Sequence, residues 1–259
     1  MIDSSYDPVI DALGRLSAAP PRDLVGLVYS DWVRMPGPVG DLYVAFTHNG
    51  VSYIRTAESA NGDDSAFAEA FRGKFGRPLR RVEQPPAGLR PALQRRTGAR
   101  NVPVDLNNVT AFERAVLETT RRIPHGQTRP YSWVAREIGR PRAVRAVGTA
   151  LGNNPVPVLI PCHRVVRADG ELGGYVFGRD LKETLLRVEG ANLDEMRDLA
   201  RENVFYLGSD VTGIVCFPSC AHARRITEPH RRGFRSIKAA THAGYRPCKH
   251  CRPAMAVSA

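Results

Sequence analysis

The sequence contains no apolar run close to the roughly 20 residues that a membrane-spanning helix requires. Its first residues also lack the basic stretch followed by an apolar stretch that marks a secretory signal. No internal repeat is visible. We therefore expect a protein with no membrane partner and a cytoplasmic location. A chain of 259 residues can form a sizeable core and more than one domain.

Cysteine is scarce, with five residues in the whole chain. An odd number in a cytoplasmic protein argues against a framework of disulfide bonds. The five divide into one isolated residue, Cys162, and a group of four in the last 45 residues: Cys216, Cys220, Cys248 and Cys251. These two sets are candidates for two different kinds of chemistry.

Acidic residues are scarce at the C-terminal end. Residues 201–259 contain ten Lys or Arg and only three Asp or Glu, so most of the formal net charge of +11 lies there. A basic surface of this kind favours a nucleic-acid partner. Charge alone is not specific, and a basic tail that maintains solubility is the alternative.

The N-terminal part has the pattern of a small sheet followed by a helix. Apolar residues alternate over 42–46, and Asn49-Gly50 then gives a strong hairpin signal, so we predict an antiparallel sheet across 24–56. Phenylalanines four residues apart predict a helix over 66–75. Residues 76–102, rich in Pro, Gly and Arg, are predicted to form a connecting loop.

From residue 105 the pattern becomes helical. Thr110 and Glu113 form a capping box at the start of a helix. A second helix is predicted over 132–138, and a third from Pro141, in its first turn, to Leu151. Two short helices joined by a tight turn suggest a helix-turn-helix.

The third helix combines small residues with arginines and is the candidate DNA-binding element. The residues concerned are Arg142, Ala143, Arg145, Ala146 and Gly148. A helix with a small, basic face can lie close to a DNA groove. Tight packing of the alanines against another helix is the alternative. Further helices are predicted at about 180–188 and 191–200.

Together these patterns predict an α+β fold with three parts. The first is a small antiparallel sheet domain over residues 1–103. The second is a helical domain with the helix-turn-helix over 104–191, and the third is a small four-cysteine domain over 200–259.

Cys162 is followed directly by His163 and Arg164. A free thiol has a pKa near 8.5, so only about 3% is thiolate at neutral pH, and a nucleophilic cysteine needs a base or a positive field beside it. Closely spaced prolines at 155, 157 and 161 predict an extended, rigid approach to the thiol. On the Cys-His pair alone, a buried structural cysteine is the simpler interpretation.

The longer string favours reactivity. Residues 142–148 (RAVRAVG), 154–157 (NPVP) and 160–166 (IPCHRVV) resemble the O6-alkylguanine-DNA alkyltransferase family. The segment IPHGQT with Tyr131 upstream, and the residues from Asp169-Gly170 to Glu189-Gly190 downstream, continue the match. The resemblance covers 105–190 closely and 24–56 loosely, and its PCHRV string is specific.

This resemblance implies roles at the reactive centre. Cys162 would accept the alkyl group, His163 would deprotonate it through a water, and Glu189 would orient the histidine. Asn154 would hold the active-site turn, and Tyr131 would donate a proton to the leaving guanine.

It also implies contacts with damaged double-stranded DNA. The target base lies inside the duplex and must be flipped out, and Arg145 would fill the space that it leaves. Residues Val165, Tyr175, Val176 and Lys182 would surround the base. Val176 departs from relatives that have a hydroxyl residue there. Only its backbone N–H can bond the guanine oxygen, so we expect altered substrate preference.

The four clustered cysteines predict a zinc site. The pairs Cys216-x3-Cys220 and Cys248-x2-Cys251 lie 27 residues apart, which suits one tetrahedral Zn²⁺ with four thiolate ligands. The histidines at 222, 230, 242 and 250 are then surface residues. Zinc would stabilise a segment too small and basic to fold alone. We expect no organic cofactor.

Residues around both cysteine pairs resemble the metal-binding domain of the bacterial Ada protein. In that family the first cysteine, here Cys216, takes a methyl group from a DNA phosphotriester. The order of the parts departs from Ada, because the zinc segment here follows the alkyltransferase segment, and no second helix-turn-helix follows it. A purely structural zinc module that adds DNA affinity therefore stays open.

The leading hypothesis is a monomeric repair enzyme that transfers a methyl or larger alkyl group irreversibly from O6-alkylguanine, or from O4-alkylthymine, to Cys162. A non-catalytic, zinc-dependent protein that binds DNA lesions or regulates genes is the alternative. Relatives of the lesion-binding type lack the cysteine, so Cys162 argues against it. A cysteine hydrolase would leave the DNA-binding helix without a purpose.

Overall fold

The computed structural model describes residue 26 and residues 28–94 and 99–254. The remaining positions, 1–25, 27, 95–98 and 255–259, lie outside the described residues, and so do Leu24 and Val25 of the predicted sheet. No helix among the described residues is long and apolar enough to cross a membrane.

The N-terminal part is a sheet whose first three strands form a meander: β1 (Ser30–Gly37), β2 (Gly40–Thr47) and β3 (Gly50–Thr56). They pair antiparallel, and Thr47 lies opposite Gly50 at the hairpin. Gly50 has a φ of +130°, and a Cβ there would lie 2.4 Å from the backbone of Pro103. The predicted hairpin is confirmed, and the glycine is required by close approach as well as by the turn.

The predicted loop over 76–102 is wrong in two places. It contains a strand, β4 (Leu79–Arg81), which pairs parallel to β1 and gives the strand order β3-β2-β1-β4. It also contains a short helix, α2 (Leu89–Gln94), whose Leu89 and Leu93 are fully buried. Sheet pairing and core contacts override the weak local preferences of these residues.

The predicted phenylalanine helix is confirmed as α1 (Asp64–Phe75), capped by the Asp63 side chain. It carries the chain from β3 to the parallel strand β4. Phe67 and Phe71 pack on Trp32, Tyr43 and Tyr53 of the sheet.

The middle part contains the three predicted helices: α3 (Ala111–Arg121), α4 (Tyr131–Glu137) and α5 (Val144–Gly152). The capping box is confirmed, since the Thr110 side chain accepts from the Glu113 N–H and the Glu113 carboxylate accepts from the Thr110 N–H. The predicted start of the third helix is wrong. Pro141 lies in a turn closed by the Ala143 N–H on the Arg140 carbonyl, and the helix begins at Val144.

The prediction of an extended approach to Cys162 is also wrong. Residues 157–160 form a tight turn in which the Ile160 N–H donates to the Val156 carbonyl and Val158 has a φ of +75°. A positive φ is unusual for a β-branched residue, and strain of this kind is concentrated at functional sites.

Two short parallel strands, β5 (Arg129–Pro130) and β6 (Val165–Val166), link the start of the helix-turn-helix to the segment after Cys162. Two helices then follow, α6 (Arg179–Val188) and α7 (Leu193–Arg201), near their predicted positions.

The last part is a second small sheet with one helix. Its strands are β7 (Tyr206–Ser209), β8 (Ile214–Cys216), β9 (Arg231–Phe234) and β10 (Arg246–Pro247), in the order β10-β8-β7-β9. The helix is α8 (Ile237–His242). The mixed α+β class predicted from the sequence is confirmed. One apolar core runs from the first sheet through the helices to the four cysteines.

Candidate active site and metal centre

Cys162 is 4% exposed and begins a single helical turn, Cys162–Arg164, directly after the strained turn. The fully buried Asn154 holds this region together. Its Nδ2 donates to Cys162 Sγ at 3.1 Å and to the Ile160 carbonyl at 3.0 Å, and its Oδ1 accepts from the Val156 N–H at 3.0 Å. One amide side chain therefore fixes both ends of the turn and orients the sulfur.

A cavity of about 480 Å³ opens onto Cys162. Helices α4 and α5 form one side of it, and the loop before α6 forms the other. Its lining residues are Tyr131, Gly148, Leu151, Gly152, Cys162, Gly174, Tyr175 and Val176. A space of this size is in the range of small-molecule sites.

His163 and Glu189 form a buried pair beside the cavity. The His163 Nε2 lies 2.8 Å from Glu189 Oε1, and both side chains are almost fully buried. Arg164 contacts both oxygens of the same carboxylate, each at 2.8 Å, and the Gly126 N–H donates to it at 3.1 Å. The carboxylate is thus held by three groups at once.

The ionisation states of this pair follow from its contacts. Burial raises the pKa of Glu189, but hydrogen bonds from His163 and Arg164 more than reverse this, so the pKa lies far below its usual range. Burial lowers the pKa of His163, against the opposing hydrogen bond to Glu189. At neutral pH the pair is therefore a carboxylate and a neutral imidazole.

This assignment fixes the tautomer of His163. A neutral imidazole beside a carboxylate carries its hydrogen on Nε2, which leaves Nδ1 as an acceptor. Nδ1 is buried and has no hydrogen-bond partner among the described residues. A buried acceptor without a partner, on the residue directly after Cys162, can act as a general base.

The thiol itself is not ionised in the resting protein. Burial raises the pKa of Cys162 to about 11, against the opposing effects of the Asn154 hydrogen bond, the Lys182 charge and nearby backbone N–H groups. At neutral pH only about one molecule in 10⁴ carries the thiolate. Deprotonation therefore has to accompany the reaction.

Two tyrosines lie at the cavity. The Tyr131 hydroxyl is 3.5 Å from the Gly174 carbonyl, too far for a strong hydrogen bond, and burial raises its pKa. Tyr175 lies edge-on to the His163 ring, with centroids 6.0 Å apart. Burial raises its pKa as well, so both hydroxyls keep their protons at neutral pH.

Lys182 and Val165 do not line the cavity; they hold its walls. The fully buried Lys182 Nζ donates to the Val165 carbonyl at 2.6 Å and to the Gly174 carbonyl at 3.1 Å. Burial lowers the pKa of Lys182 to about 8. The amine therefore joins α6 to both segments that border the cavity.

Helix α5 has one buried face and one exposed face. Val147, Ala150 and Leu151 pack into the core. Arg145 and Ala146 are exposed, Arg142 is exposed just before the helix, and Gly148 borders the cavity. Ala150 thus packs as the alternative interpretation expected, whereas the basic face with Ala146 points outward beside the cavity mouth.

Sequence reasoning missed the two groups that complete the carboxylate site, Arg164 and Gly126. The sequence offers Arg164 as a positive charge near the thiol, but its guanidinium contacts the carboxylate of Glu189 instead. Gly126 has a φ of +67°, and a Cβ there would lie 2.5 Å from the Glu189 carbonyl oxygen. Only the fold reveals that this close approach exists.

The four remaining cysteines converge. Their Sγ atoms all lie within 4.8 Å of one another, and all four residues are buried. Tetrahedral Zn²⁺ with Zn–S bonds of about 2.3 Å needs sulfurs about 3.8 Å apart, so the donor set and its spacing fit one zinc ion. The histidines at 222, 230, 242 and 250 are exposed, as predicted.

Two family models match the chain. The model described as the 6-O-methylguanine DNA methyltransferase DNA binding domain matches residues 111–191, and the one described as the metal binding domain of Ada matches 194–254. The four cysteines of the second segment are the ligand set of its single zinc ion.

Curated relatives agree with both models. An inducible methylated-DNA–protein-cysteine methyltransferase of Bacillus subtilis is 34% identical over 66% of this chain and 91% of its own length. A methyltransferase of Methanosarcina acetivorans is 48% identical over 32% of this chain. The chain spans 53% of that archaeal relative. The bifunctional transcriptional activator and DNA repair enzyme Ada of Escherichia coli is 45% identical over 39% of this chain and 28% of its own length.

A solved structure shares the fold over about two thirds of this chain. The Mycobacterium tuberculosis OGT in complex with DNA has a TM-score of 0.51 and 30% identity, covering 64% of this chain and 98% of that one. Fold and site together define a class of protein with a DNA-binding domain, a buried cysteine at a cavity and an attached zinc module. Within that class, the chain belongs to the methylated-DNA–protein-cysteine methyltransferase family.

Proposed function

We propose that this protein repairs DNA by moving an alkyl group from O6-alkylguanine to Cys162, once per molecule. The observation that carries the proposal is the buried thiol at the cavity, next to a neutral imidazole whose Nδ1 has no partner among the described residues. The activity named for the relatives supports the same reaction. O4-alkylthymine is a second substrate to test.

In the first step, His163 Nδ1 takes the proton of the Cys162 thiol through a bound water. Glu189 stabilises the imidazolium that forms, since its carboxylate already faces Nε2 at 2.8 Å. Asn154 stabilises the thiolate by its hydrogen bond to the sulfur. The three residues act like a catalytic triad. The sequence offers no group that would hydrolyse the product, so the enzyme is not regenerated.

In the second step, the thiolate attacks the alkyl carbon in line, the S–C bond forms and the C–O bond breaks. The electron pair stays on the guanine oxygen. The Tyr131 hydroxyl donates its proton to the leaving guanine, and the proton held by His163 replaces it through solvent. The product is a thioether on Cys162, so the protein cannot react a second time.

The damaged base has to leave the duplex to reach the cavity. The exposed face of α5, with Arg145, Arg142, Ala143 and Ala146, would lie against the duplex, and Arg145 would fill the vacated space. Tyr175 and Val176 would contact the flipped base, with the Val176 N–H on its oxygen. Val165 and Lys182 would support the wall of the cavity behind the base, since Lys182 Nζ donates to the Val165 carbonyl. We propose double-stranded DNA as the partner, a monomeric state and a cytoplasmic location.

The domain boundaries that we propose are 1–103, 104–191 and 200–259. The sheet residues of the first part bring the loop carrying Asn154 into place, since the Ile54 N–H donates to the Pro155 carbonyl at 2.8 Å. The first part is thus a support for the active-site turn.

The deciding experiment is stoichiometric transfer. The protein is mixed with a duplex containing one O6-methylguanine, and the intact protein and its digest are weighed by mass spectrometry. We expect one methyl group, on the peptide that contains Cys162, and none with Cys162→Ala, which should still bind DNA. An unmodified Cys162 peptide after complete mixing would refute the proposal in favour of a non-catalytic lesion-binding or regulatory protein.

Methyl acceptance by Cys216 is a separate proposal, motivated by the similarity to Ada. Bound zinc would supply the chemistry by keeping the four ligands as thiolates. Cys216 is only 2% exposed, so a DNA phosphotriester has to displace the residues that cover its sulfur. A duplex with one methylphosphotriester tests this in the same assay. A methylated Cys216 peptide supports the transfer, and an unmodified one leaves Cys216 a structural ligand.

A further inference from the structure

A buried arginine of the alkyltransferase part lies against the loop that carries two of the zinc ligands. Arg129, on β5, is 1% exposed. Its guanidinium carbon is 5.5 Å from the ring of Phe217, the residue directly after Cys216, and 5.8 Å from the ring of Trp133. Arg129 therefore fills the boundary between the helical part and the zinc module.

Hydrogen bonds fix this contact. The Thr128 N–H donates to Ser219 Oγ at 2.9 Å, and Ser219 Oγ is 3.1 Å from both the Thr128 carbonyl and the Thr128 hydroxyl. Ser219 directly precedes Cys220. The dipeptide Thr128-Arg129 is thus held against the short loop between the first two ligands.

The charge of Arg129 has no conventional partner. Its Nη atoms donate to the Thr128 carbonyl and to the Gln127 side chain, both neutral, and its buried Nε has no partner. Within residues 28–94 and 99–254, no carboxylate forms an ion pair with it. A buried guanidinium without a counter-ion is costly, so its presence requires negative charge nearby.

Four thiolates around one Zn²⁺ carry a net charge of about −2. We propose that Arg129 is the counter-ion of this zinc centre, supplied by the alkyltransferase part, and that it raises the zinc affinity of the attached module. The alkyltransferase part and the zinc module are then coupled by this pair of opposite charges. Arg129 touches neither DNA nor the reacting atoms, so it is a positioning residue for the metal.

The direction of the charge effects agrees with this placement. Burial lowers the pKa of Arg129, and the opposing charges belong to Cys251, Cys220, Cys248 and Cys216. All four ligands therefore act on the same guanidinium.

The test measures zinc affinity in the full-length holoprotein by competition with a chromophoric chelator. Partners outside the ligand set typically change metal affinity 10–100-fold, and we expect Arg129→Met to weaken zinc binding by about that factor. Arg129→Lys, which keeps the charge, should lose less. The matched control is Arg231→Met, because Arg231 lies on β9, the edge strand opposite β10, and pairs with Glu195 of α7. The zinc affinity of the Arg231→Met variant should stay within about twofold of that of the unmodified protein.

A second measurement separates charge pairing from packing. If the thiolates are the counter-ion, Arg129→Lys should lower the melting temperature of the holoprotein less than Arg129→Met does, because the lysine keeps the charge. Neither variant should change that of the chelated protein, in which the unfolded zinc module no longer covers residue 129. Should Arg129→Met fail to fold, Arg129→Lys decides, with weaker zinc binding than the arginine expected. Unchanged zinc affinity in the folded variants, or equal losses with Arg231→Met, would overturn the proposal.

Discussion

Glu189 lies 2.8 Å from His163 and is held at the same time by the Arg164 guanidinium, although 25 and 26 residues of chain separate it from these partners. The carboxylate therefore belongs to two contacts with different purposes. The contact with His163 fixes the tautomer that leaves Nδ1 free to accept a proton. The contact with Arg164 keeps the carboxylate ionised inside the protein.

Replacing Glu189 by Gln tests the first of these purposes. The amide cannot stabilise the imidazolium, so we expect alkyl transfer to slow by about 10²- to 10⁴-fold, the range of general-base effects. Stability should fall by about 3 kcal/mol, since Arg164 loses its partner in a mostly buried position. Single-turnover transfer from an O6-methylguanine duplex measures the rate. Glu171→Gln, at an exposed pair with Arg179, is the control and should match the unmodified protein.

The acid limb of the transfer rate follows from His163. The pKa of His163 is lowered from its ordinary value of 6.5 in the folded protein, so the imidazole is still neutral at pH 6.5. The rate should stay flat through that pH and fall only below it. The unfolded chain binds this proton more readily, so the stability that neutral His163 contributes is complete above about pH 6.5 and is lost as the pH falls. Alkyl-transfer rates and the midpoints of urea unfolding, measured between pH 5 and 8, check both expectations. A rate that declines already from pH 7.5 would contradict a lowered pKa.

The opposite sign is expected for Cys162 at alkaline pH. Its folded pKa is about 11, above that of a free thiol, so the unfolded chain loses the thiol proton first. Stability should therefore fall between about pH 9 and 11, and Cys162→Ala should remove that part of the decline. Chemical denaturation of the two proteins at matched pH values tests this. Identical pH profiles would mean that the thiol is not desolvated.

Asn154→Ala removes the amide that joins the two ends of the strained turn. The Val156 N–H, the Ile160 carbonyl and the Cys162 sulfur lose a buried partner, and each unsatisfied group costs about 1–3 kcal/mol. We expect lower stability in urea and slower transfer, because the turn no longer holds the sulfur in line. The exposed Asn107→Ala serves as the comparison. Full activity of the Asn154 variant would show that the turn holds its shape without the amide.

Arg145→Ala should affect damaged DNA more than undamaged DNA. On undamaged duplex the substitution removes one positive charge within reach of the phosphates, so we expect a small loss of affinity. On damaged duplex it also removes the group that occupies the vacated space, so transfer should slow further. Fluorescence anisotropy and single-turnover rates separate the two effects, with the exposed Arg201→Ala as control. Equal losses of affinity for the two duplexes would mean that Arg145 contacts only the DNA backbone.

Removal of zinc should unfold the last part selectively. Its sheet has strands of two to four residues, too short to be stable alone, and metal binding supplies folding free energy. With a strong chelator we expect faster amide exchange in β7–β10 and little change in α3. Cys220→Ser should behave in the same way without a chelator. Persistent protection of these strands after complete zinc loss would contradict the prediction.

Local chemistry in the sequence determined much of this molecule. The Thr110–Glu113 capping box, the Asn49-Gly50 hairpin and the spacing of phenylalanines each depend on residues a few positions apart, so the chain pattern contains the whole interaction. The two cysteine pairs likewise reveal a zinc ligand set, because thiolate spacing within each pair is set by the metal.

Tertiary structure decided what depends on distant groups. The parallel strand β4 forms because β1 offers it a free edge, and the turn at Val158 tolerates its φ because Asn154 holds both ends. The burial that leaves Cys162 protonated and His163 neutral comes from residues throughout the fold. Arg129 lies beside the zinc ligands because Thr128 and Ser219, 91 residues apart, are bonded across the boundary. Long-range packing sets the local dielectric and the charges that face each group, and these decide which groups can react.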